Sequence, residues 1–572
     1  VVLPHLQTQT YQLQLIETIS QKVQREISLR LRDSSESYKR TFVSSVDGSV
    51  QYYGVQPSSS PAAGQSLILS LHGAGVEGMG QAEAYGQKNW ANLVAATNRR
   101  PFGFDWEDIG RLDALEVLAD AKKRFNSHPQ RTYLTGHSMG GHGTWQVAAH
   151  YPDRFAAIGP SAGWISFFTY AGGVTYSNPT PMESMLQRAT NPSQTLHLKS
   201  NFLQQAVYVL HGDADDNIPV GQARQMRAEL KDHPNLKWHE QGGAGHWWDV
   251  SPDPGADCVD WKPMFDWFRK IQIPQSSNVN HLDFTTISPG ISADCHWATI
   301  EQQLKPFEPS RIVLDYNPSN NSVTGTTSNV RTLRLRRADM PNIASQLIID
   351  GVEVEINRGT TEVVIQNREK WHQVAPVVES EKNRNRSGGF KDVFRNRVVF
   401  VYGTGGSPDA KRWARAKAVF DAETFYYRGN GSVDVLPDSE FALRAFRDRN
   451  VLLYGNSDTN SAYNKLISNP DIELKQGHLK IGTRKVVGSD LSVAFILPRK
   501  DSSVGSVGVI GGTGEVGMRL CDRMPIFTSG TGFPDLIAFR PSMLANGTKG
   551  VVAAGYFGND WRVKSGEFEF QD

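Results

Sequence analysis

Gly136-His137-Ser138-Met139-Gly140 is the stretch that decides how this chain folds. It has the form G-x-S-x-G, a turn that lifts one serine hydroxyl clear of the end of a sheet. Its flanks suit that turn. Arg131-Thr132-Tyr133-Leu134-Thr135 reads as a short buried strand, and Gly143 to His150 reads as a helix with Trp145, Ala148 and Ala149 on its apolar face. The glycines are required because the turn is strained and neighbouring backbones approach closely. The pentad therefore predicts strand, sharp turn and helix, with Ser138 as a nucleophile.

A serine hydroxyl attacks poorly at neutral pH unless a histidine takes its proton and a carboxylate orients that histidine. On a sheet of this kind the order along the chain is Ser, then Asp or Glu, then His. The acid falls in Val207 to Pro219, where a strand ends at Leu210 and Asp213, Asp215 and Asp216 share the following turn. Asp215 is the first candidate and Asp216 the second, although aspartates also populate turns for local reasons. The base is His246, in Gly243-Ala244-Gly245-His246-Trp247-Trp248 after the last expected strand. Two backbone N–H groups must await the oxyanion. One is that of Met139, and the other is that of Ala74, in the His72-Gly73-Ala74-Gly75 loop after the strand Ser66 to Leu71.

Outward from the pentad, strands and helices alternate from Ser66 to Ile271, which predicts a mostly parallel sheet covered on both faces. Asp47-Gly48 between two strand-like runs predicts a hairpin. Leu13, Ile16, Ile19 and Val23 lie at loose helical spacing. The expected organisation is an N-terminal extension over 1–39, an α/β-hydrolase domain over 40–272, a small β-sandwich-like module over 281–370 and a second α/β module over 390–572. The middle module rests on short β-branched runs separated by Asn, Ser, Gly and Pro.

At 572 residues the chain exceeds what one core holds. A net charge of +1 excludes any global pull toward nucleic acid. No run approaches the roughly 18 apolar residues of a membrane span. Cys258, Cys295 and Cys521 cannot make a disulfide framework, though Cys258 and Cys295 leave room for one bridge. The first residue is Val1, so the absence of a leader says nothing about export.

Ser66 to Asp249 resembles the prolyl-oligopeptidase-type α/β-hydrolases, a group that includes secreted carbohydrate-ester hydrolases and polyester depolymerases. The matching strings are LHGAGVEG, TGHSMGGHGTWQVAAHYPDRFAAIGPSAGW, VLHGDADDNIPV and GAGHWWD. The resemblance implies Ser138 as nucleophile, Asp215 as acid and His246 as base, with no cofactor. It departs from the peptidases in lacking propeller periodicity. The expectation is hydrolysis of carboxylic esters, of acetyl or feruloyl type on a polysaccharide, in a secreted or periplasmic setting. The alternatives are a serine peptidase, and a carbohydrate-binding protein with a vestigial hydrolase fold. Oligomeric state is left open.

Several features carry weaker signals. Trp164, Phe167, Phe168, Tyr170 and Tyr176 lie on an excursion between two strands and form either an apolar substrate wall or ordinary core; Trp164 and Trp247 are the substrate-binding candidates. Asp105, Glu107 and Asp108 suit the start of a helix. Gly512 to Gly517 spells G-x-G-x-x-G, read as a tight strand-to-helix turn rather than a dinucleotide site because too few residues follow it. Glu379 to Gly389 is expected to be a polar mobile loop, and the basic run Lys382 to Arg397 a solvated one. No H-E-x-x-H occurs, so no catalytic metal is expected.

Overall fold

The structure is a computed structural model that describes residues 10–16, 23–30, 32–340, 346–357 and 360–571. Its first large sheet has eight strands, β1 Tyr38–Val43, β2 Val50–Gln56, β3 Ser66–Leu71, β4 Ala91–Ala95, β5 Thr132–His137, β6 Ala157–Ser161, β7 Ala206–Gly212 and β8 Leu236–Gln241. They lie in the order β8-β7-β6-β5-β3-β4-β2-β1. Strands β3 to β8 are parallel, and the hairpin β1–β2 joins antiparallel at β4. The expected alternation and hairpin are thus present. Strand β4 was not foreseen, because Ala91 and Asn92 weaken its apolar run.

The central strands are buried at every position because both faces are covered. Alternate residues divide between two apolar layers. Leu67, Leu69, Leu71, Leu134, Val207 and Val209 join the layer of α1 (Asp108–Phe125) and α2 (Met139–His150). Ile68, Tyr133, Ala206, Tyr208 and Leu210 face the layer of a later helix, Lys262–Phe268. This period of two is the pleat of a strand.

Two five-stranded sheets follow, enclosing Trp297, Ile300, Leu314, Leu333 and Ile365 as the expected β-sandwich. A second eight-stranded sheet fills the C-terminal half. Strands Asp434–Pro437, Val399–Tyr402, Val451–Tyr454 and Ser506–Gly512 are parallel, and Ser492–Pro498, Leu536–Phe539, Val551–Tyr556 and Glu567–Phe570 continue antiparallel. The helix expected from Ala410 runs from Pro408 to Gly429, capped by Ser407 Oγ accepting from Ala410 N at 3.1 Å. Gly512 ends one strand and Glu515 starts a short helix, the tight turn foreseen there.

Four expectations are corrected. Leu13, Ile16 and Val23 lie on the antiparallel pair Thr10–Ile16 and Val23–Arg30, not on a helix; Ile19 lies outside the described residues. All three cysteines are buried and free, so no bridge joins Cys258 to Cys295. The stretch Glu379 to Gly389 is solvated only in part. Lys382 and Arg386 are buried, and Lys382 Nζ pairs with Asp535 Oδ2 at 2.5 Å. The basic run is likewise tied down, with Lys391 Nζ 2.8 Å from Asp108 Oδ2. Carboxylates distant in sequence neutralise these cations, which a local charge count cannot see.

Candidate active site

The serine turn is built as its glycines require. Strand β5 ends at His137, Ser138 adopts φ 59° and ψ −120°, and α2 begins at Met139. Such a backbone is costly for a residue with a side chain and persists only where its surroundings enforce it. Here the Ser138 N–H donates to Ser161 O at 3.0 Å and its carbonyl accepts from His142 N at 3.0 Å. A Cβ on Gly140 would lie 1.9 Å from Leu71 O, and one on Gly136 2.3 Å from Gly140 O, so both positions must be glycine. Ser138 faces Gly73, and among the described residues its hydroxyl makes no hydrogen bond.

Of the three aspartates after β7, only Asp215 meets the histidine. His246 Nδ1 donates to Asp215 Oδ2 at 2.8 Å, and Asp215 Oδ1 accepts from Asn217 N at 2.9 Å and Ile218 N at 2.8 Å. Burial, the largest single influence, pushes the Asp215 carboxyl up. The bonds from His246, Ile218 and Asn217 together outweigh it and hold the group below its ordinary range. Asp215 is therefore a carboxylate, His246 carries its proton on Nδ1, and Nε2 is the basic nitrogen. Asp213 Oδ1 instead accepts from Gly243 N at 2.6 Å, and Asp216 is exposed.

Two histidines that the sequence places near the site without a role support this pair. His137, next to the nucleophile, donates from Nε2 to His246 O at 2.8 Å, and the two rings lie 4.7 Å apart. Burial, then the neighbouring His246, hold its pKa at about 3, so it is a neutral strap between the elbow and the base. His211 Nε2 donates to Ile218 O at 2.9 Å and lies 3.2 Å from Asp215 Oδ2. The elbow motif itself names His137 in its second position. Ser138 Oγ and His246 form no hydrogen bond in this structure, a contact that commonly tightens only with substrate in place.

The remaining candidates fall as follows. Met139 is the first residue of α2, so its N–H has no acceptor within the helix. Ala74 is exposed, and among the described residues its N–H donates to nothing, while Gly75 N and Val76 N just after it donate to Pro101 O and Gly73 O. Trp247 is 55 % exposed and packs edge-on to His137 at 5.2 Å. Trp164 is 6 % exposed, stacked between His142 at 4.7 Å and Tyr170 at 5.3 Å, and Tyr170 is the ring of that stack open to solvent. Glu107 does not cap α1. Its Oε1 lies 3.3 Å from His142 Nε2, and its Oε2 accepts from Ser193 Oγ and, at 3.1 Å, from Gly530 N of the C-terminal half. Among the described residues no cluster of three or more His, Cys, Asp or Glu side chains could hold a metal.

Sheet order, elbow and carboxylate-oriented histidine together make the arrangement of the α/β-hydrolase fold. Residues 100–272 match the model of the prolyl oligopeptidase family. An uncharacterized secreted protein of Arthroderma benhamiae is 23% identical over 483 residues, spanning 81% of this chain and 48% of the relative. Poly(3-hydroxyalkanoate) depolymerase C of Paucimonas lemoignei is 29% identical over 153 residues, 23% of this chain and 36% of that protein. The bifunctional acetylxylan esterase/xylanase XynS20E of Neocallimastix patriciarum is 31% identical over 121 residues, 19% of this chain and 17% of that one. The chain thus spans about half the length, or less, of the curated relatives it matches.

Proposed function

We propose that this protein hydrolyses carboxylic esters through an acyl-enzyme, and that its substrates are acyl groups carried on a polysaccharide. The observation that carries the reaction is the 2.8 Å bond from His246 to Asp215 at the same sheet edge as the Ser138 elbow. Ser138 Oγ attacks the ester carbonyl as His246 Nε2 takes its proton, and Asp215 stabilises the imidazolium without itself being protonated. The N–H groups of Met139 and Ala74 receive the oxyanion. Collapse breaks the bond to the alcohol, which leaves with the proton from His246. Water then attacks the acyl-Ser138 carbonyl by the same route and releases the acid.

A polymeric substrate is favoured by exposed rings beside the oxyanion loop. Phe102 lies against Gly75, and Tyr427 is 80 % exposed on the helix Pro408–Gly429. Arg100 joins them, donating to Tyr426 O at 3.3 Å and lying over the Tyr426 ring. Flat exposed rings at a site's margin suit sugar faces, and the relative named for acetylxylan ester cleavage points the same way. We assign catalysis to about 40–272 and polymer holding to the modules at about 281–370 and 390–572. Secretion fits the relative named as a secreted protein. A peptidase is the second reading, favoured by the family match over 100–272.

A panel of p-nitrophenyl esters and peptidyl-nitroanilides separates the two. Ester cleavage is expected, with fluorophosphonate labelling that Ser138→Ala abolishes. Cleavage of anilides alone, or a folded protein that takes no label, would overturn the proposal.

A further inference from the structure

Arg111, on the first turn of α1, is 2 % exposed. A buried guanidinium nearly always has a carboxylate or several carbonyls around it, because its desolvation is otherwise uncompensated. Arg111 has neither. Among the described residues its side chain makes no hydrogen bond and no ion pair, and its Nε is fully enclosed without a partner. It lines a cavity where α1, the loop after Arg188, the sandwich and the C-terminal half meet.

The other charges at that cavity cancel. Lys391 Nζ binds Asp108 Oδ2 at 2.8 Å and Thr528 O at 2.7 Å. Arg395 lies 3.3 Å from Asp392 and donates to Gly290 O. His150, which feels the Arg111 charge, cannot supply a negative charge. Burial, then the Arg111 charge itself, hold it neutral, and its Nε2 donates to Pro192 O at 3.0 Å. One positive charge is therefore left over, facing a space with phenylalanine walls that include Phe104, Phe394 and Phe527. The space measures about 80 Å³, room for about three waters or one small organic anion.

We infer that this cavity is a binding site for a small monocarboxylate, its two oxygens on the Arg111 guanidinium and its short apolar tail among the phenylalanines. The fork of a guanidinium matches a carboxylate in two parallel hydrogen bonds. A single uncompensated charge selects a monoanion, and the apolar wall selects a tail over an inorganic ion. The site is separate from Ser138 and stands whether or not the proposed ester cleavage does. The carboxylate could be the acid released by that reaction or one taken from the surroundings; the chemistry that recognises it is the same.

The test uses the full-length Ser138→Ala protein, so that binding is read without turnover. Isothermal titration and thermal unfolding are followed with acetate, butyrate, chloride and sulfate. Butyrate and acetate are expected to bind and to raise the midpoint, chloride and sulfate not to. Arg111→Lys should weaken carboxylate binding by at least about tenfold, since the charge stays but the fork is lost. Arg111→Met should abolish binding and unfold at a higher midpoint than its parent without ligand, because a buried unpaired charge is gone. Should Arg111→Met not fold, the Arg111→Lys isotherm decides alone. No binding of either carboxylate, equal binding of chloride or sulfate, or carboxylate binding unchanged in Arg111→Lys would overturn the assignment. Whether wild-type enzyme cleaving an acetyl ester fills the site with its own product is read by adding p-nitrophenyl acetate in place of acetate. A midpoint shift there that the Ser138→Ala protein does not show identifies the reaction as the source, and its absence leaves external carboxylate as the source.

Discussion

Replacing Asp215 by asparagine should disable the enzyme through a tautomer. The carboxylate divides its two oxygens between two tasks. Oδ1 accepts from Asn217 N and Ile218 N at 2.9 and 2.8 Å, and Oδ2 accepts from His246 Nδ1 at 2.8 Å. An amide has only one oxygen. If that oxygen turns to His246, its NH2 group faces two backbone donors at bonding distance, and both are stranded. If it stays with the backbone, the NH2 group faces His246, with only the His211 donor at 3.2 Å opposing it. The second arrangement keeps two bonds and loses fewer, so the amide locks that way. His246 Nδ1 must then accept, its proton moves to Nε2, and the nitrogen meant to take the Ser138 proton is already occupied.

The expected loss is that of a wrong tautomer in an intact site, about 10⁴-fold in kcat, or about 5 kcal/mol of transition-state stabilisation. The assay is kcat and KM on p-nitrophenyl acetate, with active protein counted by fluorophosphonate labelling. KM should move little and Asp216→Asn should behave as wild type, since Asp216 is exposed and has no contact with His246. Asp215→Ala should be less stable than Asp215→Asn, by about 1–3 kcal/mol for each backbone donor it strands. Asp215→Asn activity within about tenfold of wild type, with Asp216→Asn collapsed, would refute the reasoning and move the acid one residue along.

Three further outcomes are expected. Stability should fall as pH drops below about 6.5, because the unfolded chain protonates histidines that the fold keeps neutral; for His137 the window closes near its folded pKa of about 3, and each such proton contributes about 1.4 kcal/mol per pH unit. A thermal midpoint flat between pH 6.5 and 5 would contradict this. Gly140→Ala should cost about 3 kcal/mol and most of the activity, because the new methyl meets the Leu71 carbonyl and backbone cannot yield as a side chain does; denaturant midpoint and label yield measure both. Asp535→Asn should destabilise by about 3–5 kcal/mol in a denaturant titration, since it strands the buried Lys382 ammonium.

The hydrolase part was legible because its chemistry is local in sequence. Five consecutive residues state the elbow, one loop holds the acid candidates, and a glycine turn marks His246. The apolar runs of β3, β5 and β7 are buried on both faces, so they read as strands without help from alternation. What escaped was long-range. Nothing near Lys382 in sequence signals Asp535, 153 residues on, yet that contact draws part of a seemingly solvated loop into core. Glu107 suits a helix start, and only the fold shows that Ser193 and Gly530 claim its carboxylate. Among three neighbouring aspartates, selection of Asp215 depends on where Asn217 and Ile218 point their N–H groups, a matter of turn geometry.

The loop from Asn98 to Asp108 ties the C-terminal half to the residues proposed for catalysis. Five of its residues, Asn98, Arg99, Asp105, Trp106 and Asp108, have positive φ. Asparagine and aspartate tolerate that region, but arginine and tryptophan do so only where surroundings enforce it. The enforcement is visible. Asn98 Oδ1 accepts from Phe104 N and Trp106 N at 3.1 and 3.2 Å, and Arg99 Nη1 pairs with Asp47 at 2.9 Å. Trp106 then donates to His72 O at 3.1 Å, fixing the start of the oxyanion loop, and packs so closely on α2 that a Cβ at Gly143 would strike its ring. Its neighbour Glu107 is held by Gly530, and Phe104 rests against Gly429. The C-terminal half thus grips a strained loop that in turn holds both the oxyanion loop and the nucleophile helix. Removing that grip should let the loop relax toward ordinary φ and loosen Ala74 and Met139 together. Hence Glu107→Gln, which weakens the hold on Gly530 without touching Ser138, Asp215 or His246, should lower kcat more than it raises KM. An unchanged kcat with a higher KM would show instead that the C-terminal half serves substrate binding alone.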